Sequence, residues 1–293
     1  MKVLVFGEIL WDIIEGTPHL GGAPLNFAAH VKQCGQESAL VSCLGKDDLG
    51  DRAEGLVKEM GVDVSMVQRS DKQTGYVPVK LIDGQPDYEI VKDVAYDYIQ
   101  SEALDQKKIA SFGTFYFGSI IQRNPVSNAA LQSILDQHQF DNIFYDVNLR
   151  KDSYSSEVIK SSLAYCTILK VNDEEVSVIS KMIFQEEQGF EKFCKSVTNS
   201  YLQIKTIIIT AGKDGSFVFA NGVMHAVSTE PIKVVDTVGA GDSFSAAFAY
   251  VFAKTNDPIK AAKIANKVGG FVASNAGPNP VYSKEIKELM QAV

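Results

Sequence analysis

The sequence predicts an α/β protein of three layers, α/β/α, with a mostly parallel central sheet and a small β lid. Short apolar runs recur along the chain, with helical patterns between most of them. Such alternation favours a parallel sheet, because each strand must be followed by a crossover that returns over one face of the sheet. The runs expected to form strands lie near residues 2–6, 38–43, 112–118, 142–147, 167–171 and 205–210.

The lid is predicted from the stretch between Gly75 and Val91, where apolar residues alternate on both sides of Asp83-Gly84. Such alternation about an Asp-Gly pair is typical of a β-hairpin. We place lid strands at about residues 14–20 and 74–99 of one domain that spans residues 1–293. Aromatic residues expected to be exposed there favour a covering or dimer-forming surface, with an ordinary hairpin packed on the core as the alternative; they are Tyr88, Tyr96 and Tyr98.

Composition indicates an enzyme that acts on a small molecule. The 293 residues carry a net charge of −8 and no long basic cluster, so a surface for nucleic acid or an anionic membrane is not expected. No apolar run is long enough for a signal peptide or a membrane span, which predicts a cytoplasmic protein. The cysteines are widely spaced and the histidines form no paired motif, so reduced thiols are expected and zinc is not.

The segment 234–244 is the most informative part of the chain. Val234-Val235 reads as the end of a strand, and the residues after Asp242 show helical spacing, so Gly239 to Gly241 fall at a helix N-terminus. Free amides and the helix dipole suit phosphate oxygens there. Asp242 is either a plain N-cap or the acceptor of a proton from a substrate hydroxyl, and the residues alone favour neither.

A carboxylate and an amide near the N-terminus form a second group of candidates. Residues 2–6 read as a buried strand, Asp12 follows just past its end, and Gly22 with Pro24 starts a helix that carries Asn26. Asp12 and Asn26 can therefore face one pocket, where their donors and acceptors suit sugar hydroxyls. The alternative is a turn residue and a polar first-turn residue without a ligand.

Three further polar groups follow predicted strands. Arg150 is placed to make a forked contact with a sugar group or a phosphate, or else is solvated in a loop. Asn172 and Glu175 are candidates for contact with a ligand. The alternative is an ordinary helix start, which acidic residues in the first turn would favour. The third group is a glycine-containing loop, for which a plain hairpin turn is the alternative; it includes Thr210, Gly212 and Gly215.

The string DTVGAGDSF at residues 236–244 closely resembles the C-terminal signature of the PfkB or ribokinase-like family of sugar kinases. GEILWD at residues 7–12 and GGAPLN at residues 21–26 resemble the sugar-binding end of the same family, and the resemblance covers nearly the whole chain. It implies a ribokinase-like fold with Asp242 as the catalytic base. The amides of the anion hole would then belong to Gly239, Ala240 and Gly241.

The resemblance also assigns the other candidates, with ATP, Mg²⁺ and K⁺ as the implied cofactors. Asp236 matches an Asp that in the family often encloses a potassium ion, and nearby Pro278 replaces the usual alanine of a Gly-Ala pair, which fixes φ and removes one donor. Sugar-binding positions are matched by Asp12, Gly22, Asn26 and Arg150. Positions near ATP and hydrated magnesium are matched by Asn172, Glu175, Thr210, Gly212, Gly215 and Asn266.

The substrate implied by the resemblance is fructose. GEILWD combined with GGAPLN looks like the fructokinase branch, whereas ribokinases tend to carry a lysine where this chain has Ala23-Pro24. The implied reaction phosphorylates the 6-hydroxyl of fructose. Besides this sugar, the partner considered is a second copy of the chain, in a homodimer formed through the lid. Trp11 departs from the usual aliphatic residue, so ribose, 2-keto-3-deoxygluconate or another hexose stays open. A catalytically silent sugar- or nucleotide-binding regulator on the same fold is the remaining alternative.

Overall fold

A computed structural model describes residues 2–82, 85–150 and 153–293, and the side chains of these apart from residues 79–88. The strands in chain order are β1 (Lys2–Phe6), β2 (Leu10–Ile14), β3 (Thr17–Gly21), β4 (Glu37–Gly45), β5 (Asp63–Ser70), β6 (Gly75–Ile82), β7 (Gln85–Tyr88), β8 (Thr114–Gly118), β9 (Asn142–Asp146), β10 (Ile168–Asn172), β11 (Thr206–Thr210), β12 (Ser216–Ala220) and β13 (Val223–Val227). The helices are α1 (Ala23–Gln33), α2 (Asp48–Glu59), α3 (Gln106–Ile109), α4 (Pro125–Gln137), α5 (Ser156–Tyr165), α6 (Asp173–Phe184), α7 (Phe190–Ser200), α8 (Ala240–Thr255), α9 (Pro258–Ala273) and α10 (Lys284–Gln291).

The larger sheet is mostly parallel, as predicted. Its strand order is β13-β12-β11-β10-β9-β8-β1-β4-β5. The pairs from β11 across to β5 are parallel, and only β12 and β13 at one edge pair antiparallel. Each of the apolar runs predicted as strands forms a strand of this sheet.

Helices cover both faces of the larger sheet. Alternate residues of β1 point to opposite sides, so that Val3 and Val5 join one apolar core and Leu4 and Phe6 the other. The first core includes buried residues of α1, α2, α8, α9 and α10, and the second includes those of α4, α5, α6 and α7. The three-layer α/β/α prediction is therefore confirmed.

A second sheet of four strands forms the lid, in the order β3-β2-β6-β7. β6 and β7 pair antiparallel with Ile82 opposite Gln85, so the predicted hairpin is present; its turn, Asp83-Gly84, lies outside the described residues. The sheet also includes β2, which starts at Leu10, earlier than predicted. Residues 89–99 add no strand, because Ala95–Tyr98 forms a short 3-10 helix instead.

The prediction that Tyr96 is exposed on the lid is wrong, because this side chain is buried at the lid base. A Cβ on Gly75 would lie 2.3 Å from the Tyr96 ring, so the ring occupies the space that glycine leaves. The guanidinium of Arg123 lies 5.0 Å from the ring centroid and forms a buried ion pair of 2.8 Å with Asp97. Tyr98 is half-buried, and the side chain of Tyr88 lies outside the described residues.

Replacing Gly75 by alanine should destabilise the protein by about 1–3 kcal/mol, because the new methyl group overpacks against Tyr96. Urea unfolding of the variant and the wild type measures the difference. Gly55→Ala is the matched control, since a Cβ there meets nothing within 4 Å and alanine within α2 should stabilise by about 0.5–1 kcal/mol. Equal stability of Gly75→Ala and the wild type would contradict the packing described.

Val234 and Val235 do not end a strand, contrary to the prediction. Both side chains are exposed, and residues 228–239 contain no strand. The backbone amides of Val235 and Asp236 donate instead to the carbonyl of Ala273 at the end of α9, at 2.9 and 3.3 Å. The segment therefore crosses the end of α9 rather than joining the sheet, whose edge strand β13 pairs only with β12 among the described strands.

All four cysteines are buried and free, which agrees with the prediction of reduced structural thiols. None of the helices in the described ranges is both long and apolar enough to cross a bilayer.

Candidate active site

The glycine loop before α8 is shaped by close packing. Gly239 is the N-cap of α8 and has a φ of 78°, a left-handed conformation that favours glycine. A Cβ there would lie 2.5 Å from the carbonyl oxygen of Pro278, so no larger residue fits without a shift. The Ala240 amide already donates to the Thr237 carbonyl at 3.2 Å. Of the three amides predicted to form an anion hole, the Ala240 amide therefore already has a hydrogen-bond acceptor within the loop.

Asp242 lies in the first turn of α8, and its interpretation as the N-cap is wrong because Gly239 holds that position. Its carboxylate accepts a hydrogen bond of 2.8 Å from Nδ2 of Asn26, a residue of α1 that lies 216 positions away. The pKa of Asp242 is raised to about 6, mainly by burial and also by the neighbouring Asp146 carboxylate, against the lowering effect of the Asn26 hydrogen bond. The structure therefore brings the two predicted motifs together.

Near Asp242, on the side of the lid, lie three more of the predicted residues: Asp12, Arg150 and Gly22. Asp12 lies on β2, and burial raises its pKa, whereas the charges of Arg150 and His19 lower it. Arg150 also lowers the pKa of Asp242, so this exposed cation lies near both carboxylates. Gly22 is the N-cap of α1 with a φ of 114°. A Cβ on it would lie 2.7 Å from the backbone oxygen of the adjacent buried Glu8.

Glu8 is a site residue that the sequence reasoning missed. Only 3% of it is exposed. Its pKa is raised to about 7, mainly by burial and also by the Asp242 carboxylate, while a backbone hydrogen bond and the charges of Arg150 and Arg123 lower it. A carboxyl group buried among these charges is a common feature of functional sites. Its only sequence signal is a glutamate placed directly after β1 and Gly7.

Lys170 and Asp146 form a second missed feature, a buried ion pair of 3.0 Å. The other oxygen of Asp146 accepts hydrogen bonds from Ser245 at 2.9 Å and from Tyr116 at 3.3 Å. Burial alone would lower the pKa of Lys170, but the Asp146 and Glu175 carboxylates raise it above its usual value. A Cβ on Gly241 would lie 3.4 Å from Lys170 Nζ, so this cation lies beside the glycine loop. The signal available was a lysine inside an apolar strand.

Asn172 and Glu175 form a reciprocal capping box at the start of α6, as expected of an ordinary helix start, and their role toward a ligand stays a prediction. Glu175 accepts from the amides of Asn172 at 2.8 Å and Leu149 at 2.7 Å, one with each carboxylate oxygen. Each oxygen keeps a further lone pair that can accept a hydrogen bond from a metal-bound water. Within the described ranges, no group of three or more His, Cys, Asp or Glu residues could hold a metal ion. Asn172 and Glu175 therefore fit a magnesium ion that is held mainly by phosphates and water.

The segment from Thr210 to Ser216 is a hairpin connection between β11 and β12, and the role of this loop toward ATP stays a prediction. The Ala211 amide donates to the Gly215 carbonyl at 2.9 Å, and Gly212 and Gly215 both have positive φ. The Asn266 side chain is buried and donates to the Val227 carbonyl at 3.0 Å. Its amide group therefore holds the end of β13.

Asp236 bridges the glycine loop to the loop that follows α9. Its two carboxylate oxygens accept from the amides of Val238 at 3.0 Å and Gly277 at 3.1 Å. The predicted cation ligand therefore lies beside the loop that contains Pro278. Each oxygen keeps a lone pair, so the arrangement fits a bound monovalent cation.

Comparisons with known proteins agree over nearly the whole chain. The model of the pfkB family carbohydrate kinases matches residues 6–285. An uncharacterized sugar kinase of Pyrococcus horikoshii is 31% identical over 296 residues, covering 92% of this chain and 89% of that protein. Its crystal structure in complex with ATP superposes with a TM-score of 0.84, over 99% of this chain and 100% of that one.

Two relatives named for different substrates are also similar to this chain. Fructokinase-1 of Oryza sativa is 25% identical over 316 residues, covering 98% of this chain and 96% of that protein. Aminoimidazole riboside kinase of Salmonella typhimurium is 27% identical over 274 residues, covering 87% of this chain and 82% of that protein. The ribokinase-like fold and these matches define the class as an ATP-binding sugar kinase. The chain belongs to the pfkB family of carbohydrate kinases.

Proposed function

We propose that this sugar kinase transfers the γ-phosphoryl group of ATP to the 6-hydroxyl of fructose. The observation that carries the proposal is the hydrogen bond of 2.8 Å between Asn26 and Asp242, because it joins the GGAPLN motif to the DTVGAGD motif. The fructokinase-like combination of GEILWD and GGAPLN supports fructose over ribose.

In the proposed reaction, the Asp242 carboxylate accepts the proton of the attacking hydroxyl. The Asn26 hydrogen bond goes to Oδ2 of Asp242, which leaves Oδ1 for the sugar. Lys170 Nζ and the amides of Gly239 and Gly241 offset the negative charge of the transferring phosphoryl group, and the Ala240 amide joins them by exchanging its bond to Thr237 for one to a phosphoryl oxygen. Such reactions depend mostly on positioning and charge stabilisation, so proton removal is one contribution among several.

The sugar is proposed to bind between α1 and the lid, with Asp12, Asn26 and Arg150 contacting its hydroxyls and Gly22 allowing close approach. The lid would exclude water, which would otherwise accept the phosphoryl group. A homodimer through the lid remains a prediction, and size-exclusion chromatography with light scattering would test it.

ATP is proposed to lie along the C-terminal half of the chain. Asn172 and Glu175 at the start of α6 would contact the waters of magnesium bound to its phosphates, and the metal would supply positive charge there. A potassium ion would bind at Asp236. The residues proposed for the nucleotide and its ions are Asn172, Glu175, Thr210, Gly212, Gly215 and Asn266.

The pH dependence of turnover should reflect the pKa of Asp242, about 6. A general base acts only when it is deprotonated, so kcat should fall about tenfold for each pH unit below that pKa. Steady-state rates between pH 5 and 9, with saturating sugar and Mg-ATP, would show this fall as the acid limb of the pH profile of kcat. Glu8 is a second carboxyl group that could cause the fall in kcat, since its pKa is about 7, and Glu8→Gln removes its contribution. A limb that disappears in Glu8→Gln would assign the pH dependence to Glu8 and contradict the prediction.

The proposed substrate is tested by measuring ADP release from Mg-ATP in potassium buffer with fructose, ribose, glucose, mannose and 2-keto-3-deoxygluconate. Fructose should give by far the highest kcat/KM, and phosphorus NMR of the product should place the phosphate at the 6-position. Asp242→Asn is the control for contaminating kinases. A different preferred sugar would overturn the substrate and keep the kinase. ATP binding without turnover on any sugar would favour the silent regulator.

A further inference from the structure

The side-chain amide of Asn26 lies between two polar partners. Its Nδ2 donates to Oδ2 of Asp242 at 2.8 Å, and its Oδ1 accepts from Nδ2 of Asn279 at 2.9 Å. An ionised carboxylate can only accept hydrogen bonds, so the NH₂ group of Asn26 must face Asp242. The oxygen of Asn26 must then face Asn279, which has to be a donor. The orientation of both amides therefore follows from the chemistry of their partners.

We infer that Asn279 is a positioning residue for Asp242, because it holds the Asn26 amide with its NH₂ group toward that carboxylate. The inference rests on the proposed function, in which Asp242 accepts the proton of the sugar hydroxyl. Asn279 does not touch Asp242 in this arrangement and acts through Asn26. Neither the motifs quoted from the sequence nor the comparisons assign Asn279 this role.

The loop that carries Asn279 is held against α1 and the glycine loop. The carbonyl of Pro278 accepts a hydrogen bond of 2.9 Å from Nε2 of His30, and Nδ1 of His30 then accepts from the Tyr282 hydroxyl at 2.9 Å. Burial lowers the pKa of His30 to about 4, so the ring is neutral and this arrangement of donors persists at neutral pH. These hydrogen bonds thus hold the loop so that Asn279 lies beside Asn26.

Two further contacts fix the same loop. Gln33 of α1 donates from Nε2 to the Pro280 carbonyl at 3.1 Å, and its Oε1 accepts from the Tyr282 amide at 2.9 Å. Pro278 also packs directly on Gly239. The loop therefore contacts the helix that presents Asn26 and the turn that starts α8, so a change at Asn279 is transmitted to the catalytic carboxylate through a short, defined path.

Loss of the Asn279 donor should release the Asn26 amide. A flipped amide would present its oxygen to the Asp242 carboxylate, which removes a hydrogen bond from the ionised form and adds repulsion. The charged or titratable groups that also act on Asp242 come from other elements and stay in place in an Asn279 variant; they are Glu8, Tyr116, Asp146, Arg150 and Lys170.

The test replaces Asn279 by aspartate, which keeps the shape, turns the donor into an acceptor and adds a negative charge, and by alanine, which removes the donor alone. Turnover on the best sugar should fall about tenfold or more, and the acid limb of kcat should move upward by roughly one pH unit. The KM for ATP should stay within about twofold. Asn128→Asp is the matched control, because Asn128 is half-buried and its Oδ1, like that of Asn279, has no hydrogen-bond partner within the described residues.

An Asn279→Asp enzyme with the turnover and the acid limb of the wild type would overturn the inference. The same shift of the limb in Asn128→Asp would also overturn it, because the effect would then not be specific to Asn279. Asn279→Ala removes the donor without adding a charge, so it separates loss of the donor from the field of the new carboxylate, and it also serves if Asn279→Asp does not fold. It should move the limb in the same direction by a smaller amount, and no shift in Asn279→Ala would overturn the inference. A wild type inactive on every sugar would instead overturn the proposed function.

Discussion

Replacing Asp242 by asparagine should lower turnover by about a hundredfold to ten-thousandfold, while ATP still binds. Asparagine has the same shape and its oxygen can still accept from Asn26 Nδ2, so the contact between α8 and α1 at 2.8 Å is preserved. The variant loses the capacity to take a proton from the sugar hydroxyl, together with the negative charge that Asp242 presents to Lys170 and Glu8. Turnover by ADP release and ATP affinity by isothermal titration calorimetry measure the two effects separately.

Asp136→Asn is a suitable control for this experiment, because Asp136 is on α4 and its hydrogen bond to Tyr165 is exposed. This variant should have wild-type turnover. If Asp242→Asn keeps turnover within a few-fold of the wild type, Asp242 is not the base. A loss of ATP binding in Asp242→Asn would show that the carboxylate supports the nucleotide site instead.

Replacing Lys170 by methionine should destabilise the protein by about 3–5 kcal/mol. The change removes the partner of Asp146 at 3.0 Å and leaves a carboxylate buried without a compensating charge. Methionine keeps most of the volume, so a cavity contributes little. Urea unfolding at neutral pH measures the loss, and turnover should fall as well because Lys170 Nζ lies beside Gly241.

The double variant Lys170→Met with Asp146→Asn distinguishes a lost charge from lost packing. Neutralising Asp146 removes the uncompensated carboxylate, and the hydrogen bonds from Ser245 and Tyr116 can still be accepted by the asparagine oxygen. The double variant should therefore be more stable than Lys170→Met alone. Equal stability of the two variants would show that the ion pair is not the reason for the destabilisation.

The central sheet could be predicted because its strands are buried on both faces. Residues Ile207 to Ile209 of β11 are fully buried, and a parallel strand covered by helices reads as a continuous apolar run. The same reasoning failed at Val234-Val235, where two apolar residues are exposed beside α9. Apolar character reports a tendency to be buried, and it does not say whether a neighbouring strand is available for pairing.

The site was predicted in part, because short motifs identify residues and not their long-range partners. Asp242 and Asn26 were both found from their motifs, but the direct hydrogen bond between them was not. Lys170 was missed because a lysine in an apolar strand acquires meaning only when Asp146 is known to lie opposite it on β9. Tyr96 was misplaced for a related reason, since its burial depends on the space left by Gly75.

The contact between Asn26 and Asp242 joins residues 216 positions apart, and this separation has a consequence during synthesis. The ribosome completes α1 long before α8 exists. A nascent chain that ends before residues 240–255 lacks the carboxylate that the proposed reaction requires, so it cannot phosphorylate a sugar. Contacts of such long range also form late and slow folding. The protein is therefore expected to gain activity only after α8 has been synthesised and has packed against α1.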